Sequence, residues 1–520
     1  MSVNLFLIQL VAFSCAMLLL RARYTARGWL LVAGLLLLVL AGVFWLSQDL
    51  AGWISGGLWF GLILIPLVGF ARINYLTTRD QYGQARWIAS WIRWLHPFDG
   101  FWEYPELLRG LELGYEGKLA EATRLLQKYH TRPSRIARTA TVLLYRMAAR
   151  WDEALFWMRQ NLPEQDVLKD GTIGLIYLRS LGETGDLNGM LQVFEKFDRH
   201  LAKSGNLPCR NLARMMVCAF CGQRDQVEQL FRSSLGIYPE GVRQFWLATA
   251  DLALANPSAR QYLSELATWA DPMQQRAIDW RLTQPMANPQ EIAIASRPLL
   301  AQIARELQQE AQYNLRTAFK QRRAYATYGL ILLNTLIFGL ELYKGGSTNP
   351  WVLYQMGALV PEAVVAGEWW RTLAATFLHF NQLHLLANMV GLYIFGSFVE
   401  SALGWSRFLL VYLVSGIGSM ATIAALALWS NAPDQYCVGA SGAVMGLLGV
   451  MLAILLHGWQ QDRAAIARKQ LLFMLFLVGL QTISDLLTPQ VSLLGHGAGM
   501  ILGLVSAYGL FALGTKVRQN

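Results

Sequence analysis

The chain has 520 residues, of which 54% are hydrophobic and only 15% are charged, and 19 of them are tryptophans. This composition is too apolar for a soluble enzyme of several domains, and it predicts a membrane protein surrounded by the lipid bilayer. The net charge is +10, but the basic residues mostly flank apolar stretches, where they set membrane orientation. No nucleic-acid partner is therefore expected.

Three apolar runs begin the chain, at residues 3–20, 29–46 and 53–70. Each is near the ~20 residues that a helix needs to cross a bilayer. Positive charge follows the first run, at Arg21, Arg23 and Arg27. A secretory signal has its positive charge before the apolar run, so the first run is predicted to be a retained span. We assign residues 1–72 to an N-terminal membrane segment of two to three helices, because glycines and Pro66 interrupt the third run.

Residues 73–320 are predicted to form a soluble helical domain, because charged residues become frequent and no apolar run is long enough to span. A weak repeat has turns 32, 36 and 37 residues apart, at Gly117, Ala149, Gly185 and Gly222. A small or apolar residue follows each turn by five positions, at Ala122, Ala154, Met190 and Val227. The spacing is close to the ~34 residues of a tetratricopeptide (TPR) helix pair, which predicts a TPR-like α-solenoid.

Two roles stay open for this helical domain. A solenoid of helix pairs presents a concave surface, which would bind a cytoplasmic protein or peptide. Alternatively, the domain only braces or spaces the membrane parts on either side of it. Arg72, Arg79, Arg86 and Arg93 follow the third apolar run, and this positive charge places the domain on the cytoplasmic side.

Residues 321–520 contain six further apolar runs, near 325–342, 373–398, 408–429, 438–457, 471–487 and 491–513. Basic residues lie where inner loops are expected, at Arg316, Lys320, Arg322, Arg323, Arg407, Arg463, Arg468, Lys469, Lys516 and Arg518. This bias predicts a cytoplasmic C-terminus. Even-numbered runs then all enter the membrane from the outer side.

Polar side chains recur in the even-numbered runs, where a bilayer makes them expensive and a function is the default explanation. They lie in three stretches: His384 with Asn388, Gly439 to Gly442 around Ser441, and His496 with Gly499 and Gly503. His384 and Asn388 are four residues apart and share one helix face. Polar loops through Ser430, Asn431, Pro433 and Asp434 and through Thr488, Pro489 and Gln490 precede the second and third stretches. Ser441 and His496 should therefore lie at similar depths, about 10 Å from the outer interface.

These residues resemble the rhomboid intramembrane serine proteases over about residues 325–514. The shared motifs are Gly367-Glu368-Trp369-Trp370-Arg371, then His379, His384 and Asn388, then Gly396, Glu400 and Gly404, then Gly439-Ala440-Ser441-Gly442, and finally His496 with Gly499 and Gly503. The resemblance implies a six-helix protease core that cleaves transmembrane segments of other proteins near the outer membrane face. Met445 departs from the family, which usually has an aromatic residue there that packs against the catalytic histidine.

The residues themselves support a serine-type endopeptidase. A serine hydroxyl needs a base, and His496 is the candidate for Ser441. The sequence places no acidic residue to orient His496, which predicts a Ser-His dyad. His384, Asn388 and the Ser441 N–H would stabilise the oxyanion. No cofactor is required.

The remaining candidates are expected to be structural. Trp370 and Arg371 would anchor a loop at the membrane interface, while His379 and Glu400 would support the fold, with Glu400 bonding loop backbone. A metal site is not expected, because His379 and His384 lack an intervening glutamate and Cys218 and Cys221 lack a second ligand pair. These two cysteines should be buried thiols. Cys437 would precede Ser441 by one helical turn, in an environment less suited to a nucleophile.

The predicted fold is therefore all-α: three N-terminal membrane helices, a TPR-like helical domain and a six-helix rhomboid core. The predicted function is intramembrane serine proteolysis of membrane-protein substrates. The alternative is a non-catalytic scaffold, in which the core binds client helices and the helical domain recruits a partner. The inside-positive pattern favours a multi-pass protein of a bacterial plasma membrane, with its active site open to the outer side.

Overall fold

The computed structural model describes residues 3–22, 27–129, 135–313, 324–430, 436–486 and 493–513. Regular structure in these ranges is helical, apart from one isolated antiparallel bridge between Leu359 and Cys437. Nine helices among the described residues are long and apolar enough to cross a bilayer. The prediction of an all-α polytopic architecture is confirmed. The chain divides into two compact units: the first is Asn4–Leu307, and the second is Gln308–Asn520 together with Met1–Val3.

Three membrane-length helices begin the first unit, at Val3–Leu20, Gly28–Leu46 and Gln48–Thr77. The third is longer than the predicted 53–70 run and is continuous through Pro66. A π-helical stretch at Phe60–Leu64 ends two residues before this proline. Proline lacks an N–H and its ring crowds the carbonyl four residues earlier, and a wider turn relieves that conflict. The helix therefore continues past Pro66, where the sequence predicted an interruption.

The rest of the first unit consists of helices, most of which pack against the next helix along the chain. They are Tyr82–Leu95, Tyr104–Tyr115, Leu119–Gln127, Arg135–Ala148, Trp151–Asn161, Glu164–Lys169, Gly171–Glu183, Leu187–Ser204, Leu207–Phe220, Arg224–Arg232, Glu240–Ala253, Ser258–Ala267 and Pro272–Thr283. Two short 3₁₀ turns, Pro289–Glu291 and Ile294–Ser296, precede the helix Arg297–Tyr313, which continues into the second unit.

The predicted turns of the helical domain all lie between consecutive helices. Gly117, Ala149, Gly185 and Gly222 have positive φ angles of 83°, 53°, 84° and 69°. This left-handed conformation commonly ends a helix. The four small or apolar residues that follow the turns are fully buried, at Ala122, Ala154, Met190 and Val227. A fifth turn of the same kind occurs at Ala255, with φ 57°. The turns and their buried positions are therefore as predicted, while the assignment to the TPR repeat family stays a prediction.

The second unit contains six membrane-length helices, which we call core helices 1 to 6. They are Tyr325–Tyr343, Gln382–Leu403, Trp405–Trp429, Ser441–Gln460, Ala465–Leu486 and Leu493–Ala512. The predicted start of core helix 2 near Leu373 is wrong, because a short helix and a 3₁₀ turn occupy residues 371–377. Asn381 begins the long helix instead, since its side-chain oxygen accepts the His384 N–H at 2.9 Å and so caps the first turn.

Core helices 4 and 6 pack with their backbones in contact. A Cβ atom at Gly499 would lie 2.1 Å from the Gly442 carbonyl oxygen, and one at Gly503 would lie 1.9 Å from that of Gly446. Glycine at these positions permits an approach that any side chain would prevent. This crossing fixes how the starts of core helices 4 and 6 face each other.

A methyl group at Gly503 is expected to separate core helices 4 and 6. We predict that Gly503→Ala lowers the free energy of unfolding by roughly 1–3 kcal/mol, the usual cost of overpacking. Gly509→Ala is the matched control, because nothing lies within 4 Å of the added carbon on the same helix. Thermal unfolding in detergent compares the two variants, and equal midpoints would refute the close crossing.

Candidate active site

Ser441 is the first residue of core helix 4. Its backbone N–H therefore has no acceptor inside the helix and is available to an external oxygen. The preceding Gly439 has φ 136°, and its N–H donates to the Ala375 carbonyl at 2.9 Å. A Cβ atom at Gly439 would lie only 2.7 Å from Cε1 of His384. Glycine is thus needed at 439 for both its conformation and its proximity to His384.

His384 and Ser441 face one small space beside Gly439. Nε2 of His384 lies 2.9 Å from the position that a Gly439 Cβ would take, and Oγ of Ser441 lies 3.7 Å from the same point. The His384 ring also meets the His379 ring edge to face, with centroids 5.3 Å apart. An imidazole N–H and a serine hydroxyl around one opening could both reach a carbonyl group placed there.

Asn388 lies one turn after His384 on core helix 2 and is buried. Its Nδ2 donates to the His384 backbone carbonyl at 2.9 Å. An amide nitrogen has two hydrogens, so this bond leaves one for another acceptor. Oxyanion stabilisation by Asn388 stays a prediction.

His496 lies in the first turn of core helix 6, next to its crossing with core helix 4. The preceding residue, Gly495, accepts a hydrogen bond from Oγ of Ser419 at 2.8 Å. Its carbonyl oxygen lies 4.0 Å from the position of a Gly442 Cβ. The residues directly after Ser441 and directly before His496 are therefore neighbours. The helix crossing brings the two predicted catalytic segments together.

The structure also gives His496 an acidic partner that was not predicted. Nδ1 of His496 lies 2.7 Å from Oδ2 of Asp485, which is in the last turn of core helix 5. The other carboxylate oxygen, Oδ1, accepts from Nε2 of Gln481 at 2.7 Å. Both side chains are shielded from solvent, with exposed fractions of 12% for His496 and 3% for Asp485. The predicted absence of an acidic residue beside His496 is wrong.

A sequence signal for Asp485 did exist. An ionisable residue within an apolar span is a functional candidate by default, and its expected partner is a nearby polar residue. Asp485 is 11 residues before His496, and consecutive helices with a short connection are usually neighbours. The intervening residues 487–492, with the predicted Thr488-Pro489-Gln490 loop, lie outside the described residues.

Arg371 is buried, so it is not the interfacial anchor that was predicted. Its Nη1 donates to the carbonyls of Tyr354 and Ala358 at 2.8 and 3.1 Å, and its Nε pairs with Glu368. With these charge-assisted hydrogen bonds, the buried guanidinium stabilises the conformation of the segment between core helices 1 and 2. Trp370 is 42% exposed and remains the candidate for contact with the interface.

Glu400 and His379 have structural contacts. The Glu400 carboxylate accepts the N–H groups of Ala326 and Thr327 at 3.0 and 2.8 Å. It therefore caps the start of core helix 1, where N–H groups have no helical acceptor. His379 precedes core helix 2 instead of lying on it, because the helix begins at Gln382. The backbone N–H of His379 donates to Oε1 of Glu341 at 3.0 Å.

The cysteines do not extend the site. The predicted position of Cys437 on core helix 4 is wrong, because the helix begins at Ser441 and Cys437 pairs in extended conformation with Leu359 at 3.0 and 3.2 Å. Cys218 and Cys221 are buried, as expected. Burial raises the pKa of the Cys221 thiol to about 12. Within the described ranges, no cluster of histidine, cysteine and acidic side chains could hold a metal ion.

Several predicted loop residues lie outside the described part of the chain. They are Arg23 of the N-terminal segment, Arg316, Lys320, Arg322 and Arg323 before core helix 1, Asn431, Pro433 and Asp434 before core helix 4, and Lys516 and Arg518 near the C-terminus.

Comparison with known proteins identifies relatives of the C-terminal part of the chain. The Rhomboid domain family matches residues 366–513. Rhomboid protease GluP of Bacillus subtilis (strain 168) is 34% identical over 218 residues, which are 40% of this chain and 41% of that protein. Rhomboid-like protease 2 of Toxoplasma gondii is 32% identical over 36% of this chain and 62% of its own length. YdcA of Bacillus subtilis (strain 168) is 32% identical over 28% of this chain and 69% of its length.

The nine membrane-length helices of the described residues and the matched domain define a multi-pass integral membrane protein. The chain belongs to the rhomboid family. It spans less than half the length of GluP and less than two thirds of the length of the Toxoplasma relative. The family match begins at residue 366, so it does not include the helical domain.

Proposed function

We propose that the chain is an intramembrane serine endopeptidase, with Ser441 as nucleophile and His496 as general base. The observation that carries the proposal is the bond between His496 and Asp485, 2.7 Å long, on a helix that crosses the helix beginning with Ser441. An imidazole with one nitrogen held by a carboxylate presents its other nitrogen as a base. Asp485 therefore extends the predicted dyad to a Ser-His-Asp arrangement.

The reaction would proceed in two steps. Oγ of Ser441 attacks the carbonyl carbon of the peptide bond while its proton passes to Nε2 of His496, and Asp485 stabilises the imidazolium that forms. The imidazolium then protonates the leaving amine. In the second step, water attacks the acyl carbonyl while His496 takes its proton. His496 then returns this proton to Oγ of Ser441, which releases the new carboxyl terminus. The Ser441 N–H, His384 and Asn388 would hold the oxyanion, and loss of one such donor typically costs about 10²- to 10³-fold in rate.

The proposed substrates are transmembrane segments of other membrane proteins, cut near the outer face. Exposed Arg72 and Arg79 at the end of the third membrane helix support an orientation with the helical domain and C-terminus in the cytoplasm. A bacterial plasma membrane fits this pattern. We further propose that the helical domain binds a cytoplasmic protein or peptide on the surface formed by its helix pairs.

Labelling with a fluorophosphonate probe tests the proposed nucleophile. The wild-type chain in lipid nanodiscs should become labelled, Ser441→Ala should not, and His496→Ala should label much more slowly. Cys437→Ala is the control and should label like wild type, because its thiol has no role in the reaction. Absence of labelling in a folded wild-type chain would instead favour a non-catalytic scaffold.

A further inference from the structure

The helix Tyr82–Leu95 has one buried face and one face of exposed tryptophans. Trp87, Trp91 and Trp94 have exposed fractions of 67%, 64% and 64%. Their spacing of four and three residues places them in one row along the helix. The following loop adds Phe98 and Trp102, each 41% exposed. We call these five residues the tryptophan face.

The position of this helix relative to the membrane spans is fixed by contacts within the first unit. It begins five residues after the third membrane helix ends at Thr77 and folds back along it. A Cβ atom at Gly69 would lie 2.5 Å from Cδ1 of Ile92, so Ile92 packs against the membrane helix. The second half of the helix therefore lies beside residues of the span itself.

The loop after the helix reaches the start of the second membrane helix. The ring of His96 stacks on Trp29, with centroids 4.5 Å apart. The Gly28 N–H donates to the Asp99 carboxylate at 3.1 Å. Gly28 is the first residue of the second span. The loop is thus at the level where the second span begins and the third ends, which is one surface of the bilayer.

Cationic side chains lie on the tryptophan face and at the end of the third span. The Arg93 guanidinium lies 5.6 Å from the Trp94 ring and 5.1 Å from the Trp102 ring. Exposed Arg72 and Arg79 stack on Tyr75 at 5.2 and 5.7 Å. Tryptophan favours the headgroup region because its ring is apolar and its N–H is polar, and arginine there attracts anionic headgroups.

We propose that the tryptophan face lies in the headgroup region of the leaflet from which these spans emerge, with anionic lipids as its partner. Continuity with the spans, the single row of tryptophans and these arginines all point to a bilayer surface. The first helix of the helical domain then acts as an interfacial anchor. The anchor fixes this helix against the membrane and is independent of the proteolytic reaction.

Depth-dependent quenching tests the anchor in the full chain. A Cys437→Ala background removes the cysteine that is not buried, and Trp91→Cys receives an environment-sensitive fluorophore. Ile294→Cys is the control, because Ile294 is exposed at 81% and lies beside the helix Leu187–Ser204, where the Ala293 N–H donates to Oδ1 of Asn188 at 2.9 Å. In vesicles that contain lipids brominated near the headgroup, the label at 91 should lose most of its emission, while the label at 294 should keep it.

The preference for anionic lipid is tested by comparing vesicles of two compositions. Quenching at position 91 should be stronger in vesicles of phosphatidylglycerol and phosphatidylcholine than in phosphatidylcholine alone, and Arg72→Gln with Arg79→Gln should remove this difference. Equal quenching of the two labels would overturn the anchor. That result would mean that another protein or a second copy covers the tryptophan face. Identical quenching in the two vesicle types would overturn the preference for anionic lipid.

Discussion

Replacement of Ser441 by alanine is expected to abolish detectable proteolysis. Removal of the nucleophile of a serine protease costs roughly 10⁶-fold in kcat. The side chain lies at the start of core helix 4, and loss of one hydroxyl there should not disturb the glycine contacts with core helix 6. The measurement is the cleavage rate of a reporter transmembrane segment with small residues near its outer end, in proteoliposomes.

Ser430→Ala is the control for this variant. Its hydroxyl is exposed and, among the described residues, bonds only to the Ala427 carbonyl, at 3.3 Å, so normal cleavage is expected. Thermal unfolding should give the same midpoint for both variants and the wild type. Cleavage by a correctly folded Ser441→Ala variant at the wild-type rate would require a different nucleophile and would exclude the mechanism.

Replacement of Asp485 by asparagine is expected to lower kcat by about 10²- to 10⁴-fold, since the same change in serine-protease triads costs up to ~10⁴-fold. The carboxylate lies 2.7 Å from Nδ1 of His496, and in the proposed mechanism it accepts the Nδ1 proton, so that Nε2 acts as the base for Ser441. An amide at this position can donate instead of accept, which favours the wrong tautomer. KM should change little, because Asp485 does not contact the substrate in the proposed mechanism.

A positioning role for Asp485 differs from a purely structural one in two measurements. Thr482→Val is the matched control on the same helix, because the Thr482 hydroxyl donates to the Val478 carbonyl of its own helix at 2.9 Å. It should leave kcat unchanged. Asp485→Glu keeps the carboxylate and should restore part of the rate. If Asp485→Asn retains wild-type kcat with unchanged stability, His496 acts without an acidic partner, as in the predicted dyad.

The sequence alone was sufficient for the membrane helices and the domain turns. In lipid, every backbone polar group must be satisfied within its own helix, so the length and apolar content of a run largely decide whether it spans. This is why core helices 1 to 6 are found where the apolar runs lie. Turn chemistry is equally local, and Gly117, Ala149, Gly185 and Gly222 all adopt the positive φ that ends a helix.

The close glycine crossing was also readable, because small residues spaced four apart allow helices to meet. Gly499 and Gly503 have this spacing, and both contact core helix 4 directly. The residues at which helices begin were harder to predict from the sequence. Core helix 2 begins at Gln382 because the Asn381 side chain caps it, although the apolar run itself starts several residues earlier.

Only the tertiary structure decided which polar groups meet. Asp485 has no fixed relation to His496 in the sequence, because their contact depends on how two antiparallel helices are rotated about their own axes. Arg371 was likewise predicted to be an interfacial anchor, whereas in the structure it is buried and donates to the carbonyls of Tyr354 and Ala358. The length of an apolar run and the residues of a turn act locally, so membrane spans and turns can be predicted from the sequence. Helix rotation and burial result from packing across the whole domain, which no single segment encodes.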